Sequence, residues 1–319
     1  MMISTDWSAR MGLTVPIVNA PMGGVAGGAL AAAVSRAGGL GMLGLGSSAS
    51  LSQLETGLRE LSELKSPFGI GLVDWVAAAE PRLLDATIAA RPALLSVGFG
   101  DDFSWVAPAR DVGVTTATQV GDLAGAQRAV DAGVDVLIAR GAEGGGHGAP
   151  LVGTLPLLTS VLDRYSVPVL AAGGISSGRG VAAVLAAGAA GAWVGTAFSA
   201  CLEASVSPAV RTQLLAARDT DTVTTRVFDV AQGYPWPATL PERVLRNAFS
   251  DTWDGREAEL TDAERDALAA AVAAEDHRLA PINAGQGVGV LDTVESAAEV
   301  VARLGAEAER LLGRWGETG

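Results

Sequence analysis

The chain has 319 residues, of which 49% are apolar and 18% charged, with a formal net charge of −13. That length and apolar content suit a sizeable globular core and exclude a disordered chain, and the acidity argues against a nucleic-acid partner, which calls for a basic face. Cys201 is the only cysteine, which excludes an internal disulfide framework and fits a reducing, cytosolic setting.

The chain opens with a short strand, "VPIVNAP" (15–21), followed by glycines and an alanine-rich helix over about 25–37. "GGLGML" (38–43) reads as the second strand, and the leucines at 51, 54, 58 and 61 are spaced for a helix. Strands follow at 68–73, 93–99, 113–120, 134–139, 167–174 and 190–196, separated by helices after Pro81, at 122–132, 156–164 and 177–187. The uncharged runs 11–35 and 180–202 are broken by glycine and, in the first, by proline, so they read as buried strand–turn–helix pieces and not as membrane spans. The N-terminus lacks the basic, apolar, small-residue order of a signal peptide.

Eight strand-then-helix units predict an α/β protein, a (β/α)8 TIM barrel. Strands that are apolar throughout match strands covered on both faces. An open doubly wound sheet is the rival, but "GGVAGG" (23–28) has no acidic residue in 39–46 to complete its dinucleotide fingerprint. From 205 to 290 the charge density rises and prolines interrupt "YPWPATLP". This stretch is predicted to be a smaller, mostly helical insertion or substrate lid after strand eight, with a capping box from Thr261 to Glu264. The barrel would then comprise 1–204 plus 291–319, its eighth helix lying at about 293–313.

In such a barrel the chemistry sits where strands end. Those ends carry "NAPMGG", "GIGL", "TQV", "GAEGGGHG", "AGGIS" and "GTAF". Gly173-Gly174 and Gly195-Thr196 fall at the two strand ends that commonly hold a phosphate. His147, one of two histidines, follows three glycines on a long loop and is the candidate acid–base group. Glu143 is either its orienting partner or a solvated loop acid. His277 reads as structural or exposed, Cys201 as a buried inert thiol, and no cluster suggests a metal.

Taken together, "NAPMGG", "TQVGD", "GAEGGGHG", "VPVLAAGGISSG", "AGAWVGTAF" and "INAGQGVG" resemble the nitronate monooxygenases, over about residues 12–291. The resemblance implies a barrel holding non-covalent FMN. It sets Ala20, Pro21 and Met22 against the flavin ring, Gln119, Gly145, Gly146 and Gln286 near it, and Gly173, Gly174, Gly195 and Thr196 around the phosphate, with His147 catalytic. The implied reaction is oxidation of alkyl nitronates by O2 to a carbonyl compound and nitrite. An FMN-dependent enoyl-acyl-carrier-protein reductase using NAD(P)H is the nearest alternative, and a non-redox barrel for phosphorylated ligands is another. Partners are expected to be a small nitronate or nitroalkane and O2, with no nucleic acid, no membrane, and a homodimer left open. Two departures stand out: Gly71 replaces an asparagine common in relatives, and Tyr234, Trp236 and Pro237 lie in a segment that differs and is a candidate wall of the substrate pocket.

Overall fold

A computed structural model describes residues 3–316; the domain limits expected at 1–2 and 317–319 lie outside the described residues. The strands are β1 (Ile17–Asn19), β2 (Gly41–Leu45), β3 (Phe68–Val73), β4 (Leu94–Gly98), β5 (Thr115–Val120), β6 (Val136–Arg140), β7 (Gly146–His147), β8 (Val169–Ala172), β9 (Gly191–Val194), β10 (Thr222–Thr225) and β11 (Glu242–Leu245). Eight of them pair in parallel in the order β1-β9-β8-β6-β5-β4-β3-β2. A parallel bridge between Val18 and Leu40 joins the two ends, and this seam makes the sheet a barrel.

The apolar strands are explained by cover on both faces. On β6, Val136 and Ile138 belong to the cluster inside the barrel with Val18, Met42 and Leu170. The alternate residues Leu137 and Ala139 pack outward, in the cluster formed with the helices. Buried Asn19 completes the seam: its amide donates to the Met42 carbonyl at 3.0 Å and accepts the Met42 N–H at 2.8 Å. A side chain thus supplies the ladder bonds that the short β1 lacks.

Helices at Gly28–Arg36, Leu51–Glu60, Pro81–Ala89, Leu123–Asp131, Thr154–Leu162 and Gly178–Ala186 lie close to the positions read from periodicity. The last helix, Ala297–Gly316, packs on Gly178–Ala186 and Gly28–Arg36, the seat of an eighth barrel helix. Between 205 and 290 the helices carry a small core of their own, with Val227, Phe228, Val244, Phe249 and Leu268 buried together. The predicted capping box at Thr261 and Glu264 is present. Helices make up most of this region's regular structure, as expected, and a hairpin is added to them. The hairpin strands β10 and β11 pair antiparallel, and β11 also pairs with β7, which comes from the histidine loop of the barrel. No helix of the described residues is long and apolar enough to cross a membrane.

Candidate active site

The carboxyl ends of the strands surround a cavity of about 510 Å³, within the range of roughly 300–1,000 Å³ usual for ligand sites. Ala20, Pro21 and Met22 line it from the end of β1, Gln119 from β5, and Gly145, Gly146 and His147 from the loop after β6. Gly173, Gly174, Gly195 and Thr196 line it from the ends of β8 and β9. The structure therefore brings every residue expected to be catalytic or to hold the cofactor to one cavity except Gln286. That side chain is exposed and off the cavity wall; its backbone N–H bonds the Glu143 carbonyl at 2.9 Å. Asn283, from the same late segment, lines the cavity instead.

The Gly71 departure has a steric reason. A Cβ there would stand 2.3–2.4 Å from the Pro21 ring. Pro21 fills the space a side chain at 71 would need, so an asparagine at that position would require the β1 end to shift.

His147 is not on a flexible loop. Gly146 and His147 form β7, in register with Arg243 and Glu242 of β11. The glycines before it serve close packing. The Arg140 guanidinium, 7% exposed, donates to the carbonyls of Gly144, Gly145 and Gly146 at 2.8–3.2 Å. A Cβ on Gly148 would lie 2.3 Å from that guanidinium, and one on Gly144 2.8 Å from it. Burial, and then the charge of Arg243, lower the Arg140 pKa to about 10, so it stays a cation at neutral pH.

The orienting partner of His147 is Asp229, from the helix Val227–Gln232. Nε2 lies 2.9 and 3.0 Å from the two carboxylate oxygens, with both side chains largely buried. A carboxylate at Nε2 favours the tautomer with its proton there and leaves Nδ1 as the nitrogen available to a ligand. Glu143, the partner considered from sequence, faces elsewhere: its carboxylate accepts the Thr154 N–H and hydroxyl at 2.9–3.1 Å, capping the helix Thr154–Leu162.

Trp236 stacks flat on His147, with ring centroids 3.6 Å apart and planes 6° from parallel. It is edge-packed by Trp75 and Phe99 and donates from its indole to Ser47 Oγ at 3.2 Å. Trp236 and Tyr234 line the cavity, while Pro237 is exposed and does not. Glu242, 5% exposed, also lines the cavity, and its oxygen lies within 4.8 Å of the His147 nitrogen and an Asp229 oxygen. Burial, then the Asp229 charge, push its pKa up to about 8.

The other sequence candidates lie elsewhere. Cys201 is a buried free thiol whose pKa burial drives up to about 12, an inert state. His277 borders a separate polar cavity of about 260 Å³, and both its ring nitrogens are buried without a hydrogen-bond partner among the described residues.

A parallel β/α barrel with one glycine-walled cavity at its strand ends, and a buried histidine–carboxylate pair in that wall, belongs to the class of barrel enzymes. The nitronate monooxygenase family model matches residues 6–83 and 75–307. The chain belongs to the nitronate monooxygenase family, whose members are flavin-dependent oxidoreductases.

It is 35% identical, over 76% of its own length, to the (3aS,4S,5R,7aS)-5-hydroxy-7a-methyl-1-oxo-octahydro-1H-indene-4-carboxyl-CoA dehydrogenase of Rhodococcus jostii; the match spans 66% of that relative, just short of two thirds. FabK from Thermotoga maritima has a similar structure, with a TM-score of 0.88 at 27% identity over 99% of this chain and 100% of that one. The nitroalkane oxidase from Streptomyces ansochromogenes gives a TM-score of 0.81 at 29% identity over 97% and 99%.

Proposed function

We propose that the protein binds FMN and oxidises alkyl nitronates with O2 to a carbonyl compound and nitrite; two nitronates and one O2 balance two carbonyls and two nitrites. The observation that carries this reading is the Asp229–His147 pair, 2.9 Å apart, on the wall of the glycine-lined cavity. The family match and the likeness to a nitroalkane oxidase support it.

The residues present fit the cofactor. At the ends of β8 and β9, Gly173, Gly174 and Gly195 present backbone without side chains to the cavity, a suitable cradle for a phosphate. Thr196 beside them is braced by the Gly285 N–H, which its hydroxyl accepts at 2.9 Å. Ala20, Pro21 and Met22 offer an apolar bed for the ring, and Ser199 holds the Met22 thioether at 3.0 Å. When bound, the flavin supplies the electron transfer from the nitronate to O2.

The chain's own residues do the rest. Nδ1 of His147 hydrogen-bonds the nitro oxygens of a nitronate, or takes the α-proton of a neutral nitroalkane. Asp229 fixes the ring and stabilises the cationic imidazole if it takes that proton. Such general-base help is worth on the order of 100- to 10,000-fold. Trp236 covers one face of the ring, keeping water from it and blocking its rotation.

A purified protein with flavin bands near roughly 370 and 450 nm, releasing an FMN-sized cofactor on denaturation, is expected. H147N is expected to retain the flavin and lose nitronate turnover; unchanged turnover would remove His147 from the reaction. The likeness to FabK and to a carboxyl-CoA dehydrogenase favours a second reading, reduction of the C=C bond of an enoyl thioester with NAD(P)H. Rapid flavin bleaching by NADPH without nitronate turnover would select it. A colourless protein that takes up no flavin would defeat both readings.

A further inference from the structure

Glu242 is a buried acid that no hydrogen bond explains. It opens β11 directly across from His147 and is 5% exposed, and its carboxyl makes no hydrogen bond to the described residues. Its oxygen lies within 4.8 Å of both the His147 nitrogen and an Asp229 oxygen, on the cavity wall. Asp229 has the imidazole as its partner; Glu242 has none. Across the hairpin β10 contributes Thr225, which is uncharged. The nearby arginines are committed elsewhere, Arg140 to the carbonyls of 144–146 and Arg243 to Ala142 and Thr222. Among the described residues, no arginine or lysine therefore pairs with an ionised Glu242, and the His147 imidazole is already held by Asp229.

We propose that Glu242 is the specificity-determining residue that sets which charge the site accepts: protonated, its carboxyl donates a hydrogen bond to an anionic substrate beside His147, and ionised, it joins Asp229 in excluding that anion. The inference rests on the reading that the substrate is a small anion such as a nitronate. Burial and the neighbouring carboxylate hold the proton on Glu242 up to a pH of about 8. At neutral pH the acid is then a donor on the wall of a cavity whose one guanidinium, Arg140, is spent on the carbonyls of 144–146. A single proton thus separates a site that welcomes an anion from one carrying two adjacent carboxylates, where like charges at such spacing repel. A neutral substrate would meet no such switch.

The test uses the flavin-loaded protein and two anions, inorganic nitrite as a non-reacting probe measured by calorimetry and a small alkyl nitronate measured by turnover. The expected result is a nitrite Kd and a nitronate KM that are flat below pH 8 and rise about tenfold per pH unit above it, with kcat changing far less. In E242Q, which keeps a donor but cannot ionise, both constants are expected to stay flat through the same range. E242A, lacking the donor, should bind nitrite more weakly than E242Q at pH 7. The proposal is overturned if wild-type affinity for nitrite does not change between pH 7 and 9.5, if E242Q shows the same rise as wild type, or if nitrite does not bind at any pH. Nitronate inertness with a pH-dependent nitrite Kd would overturn the proposed reaction and leave the charge switch standing.

Discussion

Two carboxyls do different work within a few ångströms of His147. Asp229 holds Nε2 at 2.9 Å, so D229N is expected to leave the fold and flavin content intact and lower kcat/KM on the order of 100-fold; steady-state kinetics beside a flavin spectrum checks both halves. Glu242 has a second consequence, for stability. Its folded pKa, about 8, is raised above its ordinary value of 4.5. The stability that goes with the bound proton is therefore complete below about pH 4.5 and is lost as pH rises toward 8. E242Q carries no such titration, and each pKa unit corresponds to about 1.4 kcal/mol. Its melting temperature should gain on wild type steadily from pH 5 to 8, by about 2–4 kcal/mol of stability at the upper end; a constant difference between the two proteins would refute the buried neutral acid. Neither carboxyl was foreseen from sequence. Asp229 lies 82 residues from His147 on a helix of the insertion, and no local pattern reveals that pairing. The signal was present all the same: "VFDVA" sets a single acid in an otherwise apolar run, a costly placement unless the charge finds a partner.

The histidine loop was legible as a functional element, but the packing that holds it was not. Three successive glycines signal mobility only if nothing packs against them, and here the Arg140 guanidinium occupies the space a Gly144 side chain would take, while the backbone of Ala284 and Gly285 stands against Gly145. The sequence shows Arg140 at a strand end but not that it turns back on its own loop. R140M should leave three carbonyls, that of Gly144 buried, without their donor and destabilise the protein by about 1–3 kcal/mol, with a loss of nitronate turnover because β7 slackens. Thermal melts and kinetics on the same preparation would show it; wild-type values in both would dismiss the clamp. The hairpin in the mostly helical insertion was not legible because "TVTT" and "ERVL" are each only four residues long, too short for a convincing alternation.

The barrel itself was the most legible part. Eight apolar segments alternating with helices leave few topologies, and the structure closes them into one ring. Its seam was not readable, because it depends on one asparagine, Asn19, bridging to Met42. Whole-molecule stability should follow the cofactor by mass action. FMN at 100 times its Kd would add about 2.7 kcal/mol, so the melting temperature of stripped protein should climb with added FMN, and riboflavin, without the phosphate, should raise it less. Equal shifts from the two would argue against the phosphate cradle at Gly173, Gly174, Gly195 and Thr196. The three-stranded sheet of β7, β10 and β11 bears on how the molecule is made. A ribosome that has released the first two hundred residues has synthesised every glycine of the proposed cofactor cradle and also His147, yet that imidazole still lacks its counter-charge and its stacking indole. Both arrive only with the later hairpin region, so during synthesis the proposed cradle glycines precede the groups that would complete the proposed acid–base pair.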